Sequence, residues 1–209
     1  MANKENQLVK VWDDDNLIKE SIDFLRTPTQ KVNFPISEHI KQMVEDLVDT
    51  YKAMTCAGIA ANQVGFNKSI FVGMEHDREK SISEDSSQNI DGIVPETDNY
   101  EIYINPQIDK IDKNSTQFGE EGCLSIPGLS LKIERYDNIK IRYYNIDGKA
   151  IKKPLSGFIS RLFQHELDHL NGNLMFESLI GRLDLDYVQD GISSETLQQL
   201  FDIIHNTKK

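Results

Sequence analysis

His165 and His169 stand four positions apart with Glu166 between them, in the run Gln164-His165-Glu166-Leu167-Asp168-His169-Leu170. On a helix, residues at i and i+4 lie about 5–6 Å apart at Cβ, so two imidazoles so spaced can close on one cation. The carboxylate one step along is then placed to work on a water bound to that cation. This is half of a metal site, and the same pattern also arises as an ordinary polar helix face, so the source of a third donor decides its meaning. The downstream positions that complete zinc peptidases do not provide one. Gly172 is in place, but the ligand position that follows it holds Met175, a poor donor for a hard or borderline divalent ion. Gln189 stands where a carboxylate would be needed, and Glu177 and Glu195 are at spacings that fit neither pattern. Upstream, Cys123 in Glu121-Gly122-Cys123-Leu124-Ser125 offers a thiolate. Three protein donors with one open position make a catalytic rather than a structural site, which would take four. His39, His76 and His205 lie outside these motifs and read as surface residues.

A third segment, Cys56-Ala57-Gly58-Ile59-Ala60-Ala61-Asn62-Gln63, is rich in small residues that let backbone approach closely. Taken together, the three segments resemble the peptide deformylase family, which carries GxGxAAxQ, EGCLS and HExDH in that order. The second and third are complete here, and the first is complete except that its leading glycine is Cys56. The resemblance implies a hydrolase that removes the N-formyl group from the initiator methionine of new polypeptides and releases formate. It implies Cys123, His165 and His169 as ligands of one divalent metal, with Fe2+ in the cell and Zn2+, Ni2+ or Co2+ able to take its place. It assigns Glu166 as proton shuttle, and the Gln63 amide and the Leu124 backbone N–H as donors to the oxyanion, a task for preorganised dipoles. Gly58 and Ile59 are expected to pair with an extended peptide substrate, as an added strand does. Glu121 is counted among the substrate-binding residues. Phe158 and Leu162, one helical turn apart, are expected to line the methionine pocket. Asp168 is a candidate for an outer role behind the ligands. Cys56, in the place of a glycine, is expected to pack rather than to take part in redox chemistry. The competing readings are an HExxH zinc endopeptidase with an unrecognised third ligand, and a relative that binds formylated peptides without turnover.

Composition narrows the class further. A net charge of −11 over 209 residues argues against nonspecific nucleic-acid or membrane-surface binding, which favour a basic face. No run approaches the roughly 18–20 apolar residues that span a bilayer. The first residues lack an apolar core or an Arg/Ser-rich amphipathic character, so neither secretion nor organelle import is signalled. With two cysteines, one of them needed as a thiolate ligand, the expected compartment is the reducing cytoplasm. Formylated nascent chains bring transient proximity to the ribosome. The acidic tail, however, does not suit a helix that docks on ribosomal RNA, so direct nucleic-acid contact is not expected.

These residues must be positioned by a small α+β fold, with mixed or antiparallel sheets packed around a buried metal-binding helix. The motif helix is predicted to run from Ser156 to Gly172, because Phe158, Ile159, Leu162, Phe163, Leu167 and Leu170 make it apolar on more than one flank. Ser37 caps a helix with the stripe Ile40, Met43, Val44, Leu47, Val48 and Tyr51. Residues 24–28 and 34–37 read as loop and turn. Ser69–Gly73, Tyr103–Pro106, the neighbourhood of Ile133 and Ile139–Tyr144 read as strands, the last closed by a hairpin turn at Asn145-Ile146-Asp147-Gly148. One domain over 1–209 is expected, with an N-terminal arm over about 1–20, an acidic insertion over about 75–101 and a C-terminal helix over about 183–209. The insertion holds nine acidic residues against Arg78 and Lys80, a composition that solvates rather than packs.

Overall fold

Residues 8–54, 56–75, 99–177, 181 and 183–206 are described by the computed structural model. The chain opens with a two-stranded hairpin, β1 (Trp12–Asp13) and β2 (Asn16–Leu17), and turns into helix α1 (Lys19–Leu25). Helix α2 (Glu38–Met54) follows, with Ser37 accepting the Ile40 N–H at its start and the predicted stripe buried. The middle of the chain is strand: β3 (Gly58–Ala60), β4 (Ile70–Met74), β5 (Tyr100–Ile111), β6 (Thr116–Cys123), β7 (Ile126–Tyr136), β8 (Ile139–Tyr144) and β9 (Ala150–Leu155). The motif helix α3 (Gly157–Leu170), strand β10 (Leu183–Val188) and helix α4 (Ser194–Asn206) complete it.

The strands form two larger antiparallel sheets, a five-stranded one in the order β3-β4-β5-β8-β9 and a three-stranded one in the order β10-β7-β6. Helix α3 touches β3 and β4 of the first and β7 of the second, so it lies between them and is covered on both flanks. The α+β arrangement around a buried motif helix is therefore observed. Phe163 of α3 packs with Phe71 and Tyr103 of the larger sheet in one aromatic cluster, and each such side chain contributes about 1.5–3 kcal/mol of burial. That packing holds α3 rigid while most of its polar residues face inward.

Four sequence expectations need correction. Of the expected arm, residues 1–7 lie outside the described residues, and the rest is packed: Val11 and Trp12 are buried in a core cluster with Ile126 and Leu131, and the Trp12 indole donates to the Pro127 carbonyl at 3.1 Å. Residues 24 and 25, read as loop, end α1, whose Ile22 and Leu25 are buried. Of the acidic insertion, residues 76–98 lie outside the described residues, but Tyr100 and Glu101 already belong to β5, paired with Met74 and Gly73. The C-terminal helix starts only at Ser194, because residues 183–188 pair with β7 as β10. In each case a pairing or packing partner distant in sequence, 26 residues or more, or a stripe too short to show a period, decided the outcome.

Candidate active site

Three elements deliver the three motifs to one place. Helix α3 carries His165 and His169 on one face, their rings 5.1 Å apart. The two-residue turn Leu124-Ser125, between Cys123 and its register partner Ile126, presents the thiol to them, with Cys123 Sγ 3.2 Å from His169 Nε2. Beyond β3 the chain makes a 3-10 turn over Ala61–Val64 closed by Gly65 at φ 85, which turns Gln63 toward the cysteine. Donor atoms of Cys123, His165 and His169 all lie within 4.8 Å of one another, and no other group of three or more such residues forms among the described residues. Met175, which holds the position of a downstream ligand, is buried in the core cluster around Leu174.

The electrostatics suit a cation at this point. Burial alone would push the Cys123 thiol up, but the His169 and His165 imidazoles outweigh it and bring it down to about 5, so the thiolate is favoured. His165 Nδ1 lies 2.9 Å from Glu121 Oε2, which turns its Nε2 toward the cysteine and fixes the tautomer that a ligand needs. Glu121 itself stays ionised at about 2: burial opposes this, and hydrogen bonds from His165 and Arg135 overcome it. Glu166 is 2% exposed, and its Oε2 has no hydrogen-bond partner. Burial raises its pKa to about 7, against the pull of the two imidazoles. A thiolate, two oriented imidazoles and an unpartnered buried carboxyl beside them fit a divalent ion.

Gln63 is locked in one orientation. Its Oε1 accepts the Ala60 N–H at 2.8 Å, so the amide nitrogen must point the other way, 3.6 Å from Cys123 Sγ and 3.3 Å from Ser125 Oγ. Ser125 and Asn62 were not singled out in the sequence. Asn62 donates to the His169 carbonyl at 2.7 Å, tying the glycine-rich segment to the end of the ligand helix. Sequence reading also passed over Arg135 and Arg161. Arg135 grips both oxygens of Glu121 at 2.9 Å and Asp168 at 2.5 Å, and Arg161 bonds Glu121 at 2.8 Å from the other side. A signal for Arg135 existed: Leu129, Leu131 and Ile133 alternate onto the buried face of β7, and the next position in that series is an arginine.

A cleft of about 1050 Å3 opens on this cluster. Gly58, Gln63, Glu121, Cys123, Leu124, Phe158, Leu162, His165 and Glu166 all line it. Two expected substrate contacts are placed differently. Ile59 is fully buried against α2 and does not line the cleft, so only its strand, not its side chain, borders the site. Both carboxylate oxygens of Glu121 are engaged by Arg135, Arg161 and His165, so its side chain holds the His165 imidazole where it borders the cleft. His39 is exposed, as expected.

An HExxH helix between two antiparallel sheets, a thiolate completing the donor set and a buried carboxyl at an open cleft define a metal-dependent hydrolase. The chain belongs to the polypeptide deformylase family, which it matches over residues 15–183. It is a peptide deformylase-type hydrolase that removes the N-formyl group of nascent chains. It is 34% identical over 159 residues to a peptide deformylase of Aquifex aeolicus, an alignment covering 76% of this chain and 83% of that one. The crystal structure of the Thermotoga maritima peptide deformylase matches with a TM-score of 0.59 and 31% identity, covering 76% of this chain and 93% of that chain. A Met-Ala-Ser-bound class I type b peptide deformylase from Acinetobacter baumannii matches with a TM-score of 0.59 and 28% identity, over 73% and 89% of the two chains. No helix among the described residues is long and apolar enough to cross a membrane.

Proposed function

We propose that Cys123, His165 and His169 hold the metal, that Glu166 moves the proton, and that Gln63 and the Leu124 backbone N–H meet the developing oxyanion. The observation that carries this reading is the convergence of the three donors with Glu166 buried and unpartnered beside them. A divalent ion held there supplies Lewis acidity and lowers the pKa of a water from about 15.7 toward about 7. Glu166, with a pKa near the operating pH, accepts the proton of the attacking water at its free oxygen and delivers it to the departing amine nitrogen. The Gln63 amide, fixed by the Ala60 N–H, donates to the formyl oxygen as it gains charge, and the Leu124 N–H at the cysteine turn donates beside it.

Substrate placement follows from β3. Among the described residues this strand is an edge, paired only with β4. The Ala57 carbonyl accepts from Met74 and the Ala60 N–H turns to Gln63. By strand alternation the N–H and C=O of Gly58 therefore face the unpaired side, ready for an extended peptide. Leu162 and Phe158 form the apolar wall for the methionine side chain. The Acinetobacter baumannii relative was crystallised with Met-Ala-Ser bound, and a peptide of that kind is the product expected here.

The reading extends to one domain acting in the cytoplasm on nascent chains near the ribosome, with Fe2+ as the resident ion. The two free thiols, one of them in the donor set, support a reducing compartment. The donor set itself also accepts zinc, nickel or cobalt. The test is formate release from formyl-Met-Ala-Ser by protein reconstituted anaerobically with each of the four ions. Release with iron at the highest rate supports the assignment, and release with none refutes it.

A further inference from the structure

The cleft is lined by more than the residues proposed for the formyl-methionyl group. Its lining also takes in Ser130 of β7, Tyr187 of β10 and Gln189 just past that strand. Register accounts for this. Tyr187 pairs with Ser130, and Ser130 with Gly122, so the three form one row across β10, β7 and β6. Paired residues of antiparallel strands present their side chains on one face.

A bulge puts Tyr187 in that row. Leu185 opposes Leu131, yet Tyr187 opposes Ser130 rather than Leu129. Ser130 is half-buried and lines the cleft, and Leu185, one pair earlier, is 57% exposed, so this stretch of β10 is open to solvent. The extra residue, Asp186, shifts Tyr187 by one position to stand opposite Ser130, as bulges do, and Asp186 is itself held by Lys132 at 2.6 Å. Past the strand, the Gln189 N–H donates to the Gly128 carbonyl at 2.8 Å, which fastens this end of β10 to β7.

The row is open at one end and bulky at the other. Gly122, next to Cys123, has nothing within 4 Å of the place of a Cβ, while Tyr187 is 55% exposed. Neighbouring strands lie about 4.8 Å apart, so Tyr187 stands roughly 10 Å from Gly122, the reach of about three extended residues. Both Tyr187 and Gln189 lie beyond the family match, which ends at residue 183.

We propose that Tyr187 is a specificity-determining residue of the deformylase reaction, contacting the side chain at the third position of the substrate and favouring an aromatic one. This rests on the deformylase reading of the site and adds a preference to it. The test compares kcat/KM for formyl-Met-Ala-Trp and formyl-Met-Ala-Gly. The parent should favour the tryptophan peptide about two- to tenfold, the worth of one aromatic pair. In Tyr187→Ala that ratio should fall to about one, and in Tyr187→Phe it should persist, with circular dichroism confirming that both variants fold. A parent ratio near one, or a preference that survives Tyr187→Ala, overturns the proposal while leaving the deformylase assignment standing. Failure to turn over either peptide overturns both.

Discussion

A Cβ on residue 58 would stand 2.7 Å from Glu166 Oε1, so the carboxyl proposed to move the proton occupies the space Gly58 leaves open. The glycine is thus more than a flexible point in a small-residue segment. Gly58→Ala should displace Glu166, and Leu162 with it, by about an ångström, enough to lower kcat by roughly 10²-fold. Metal content, measured by elemental analysis, should stay near one equivalent because no ligand is touched. A variant with the parent kcat would show that Glu166 does not depend on this space.

Gln63→Leu should lower kcat by about 10²–10³, the effect of losing one oxyanion donor. It should also leave the buried Ala60 N–H without its acceptor, costing about 1–3 kcal/mol of stability. Steady-state kinetics and a urea transition read the two effects separately. Full activity would reduce Gln63 to a structural residue.

Glu121 and Arg135 are argued to act through His165. Glu121→Ala removes the carboxylate that turns the imidazole and should weaken metal binding about 10–100-fold, the usual effect of losing such a partner. Arg135→Met should instead register in folding, because it leaves the Asp168 and Glu121 carboxylates buried with fewer partners, a loss of about 3–5 kcal/mol. Competition with a chelator and denaturant titration distinguish the two. An unchanged chelator midpoint for Glu121→Ala would count against its orienting role.

Much of this site could be read from the sequence because its parts are local. The i, i+4 histidines, the cysteine segment and the α2 stripe each fit within a few helical turns or one strand. The partners of Glu121, namely Arg135, Arg161 and His165, could not be read from the sequence because they come from other elements, and only the folded structure brings them to its oxygens. Val11 and Trp12 looked like an arm for the same reason: their apolar neighbours at Ile126 and Leu131 lie more than a hundred positions away. Residues 183–186 alternate leucine and aspartate, a period-two strand pattern too short to stand out beside the helix that follows, and pairing with β7 settled the matter.

Cys56 gives a prediction with a definite sign. Burial, and then the negative charge of Glu166, push its thiol up to about 12. A raised thiol pKa favours the neutral form, so at pH 8 only about one molecule in 10⁴ carries the reactive thiolate, against about a quarter for an ordinary thiol near 8.5. In a Cys123→Ser background, alkylation by iodoacetamide followed by intact mass should run roughly 10³-fold slower than for free cysteine. Rapid labelling would revive a redox role for Cys56 and weaken its reading as a packing residue.

The proposed mechanism requires Glu166 to move a proton without holding the metal. Glu166→Ala, reconstituted under anaerobic conditions, should bind about one equivalent of metal while formate release from formyl-Met-Ala-Ser falls by about 10²–10⁴-fold, the contribution of a positioned general base and acid. Loss of the metal in this variant, or turnover close to that of the parent, would contradict it.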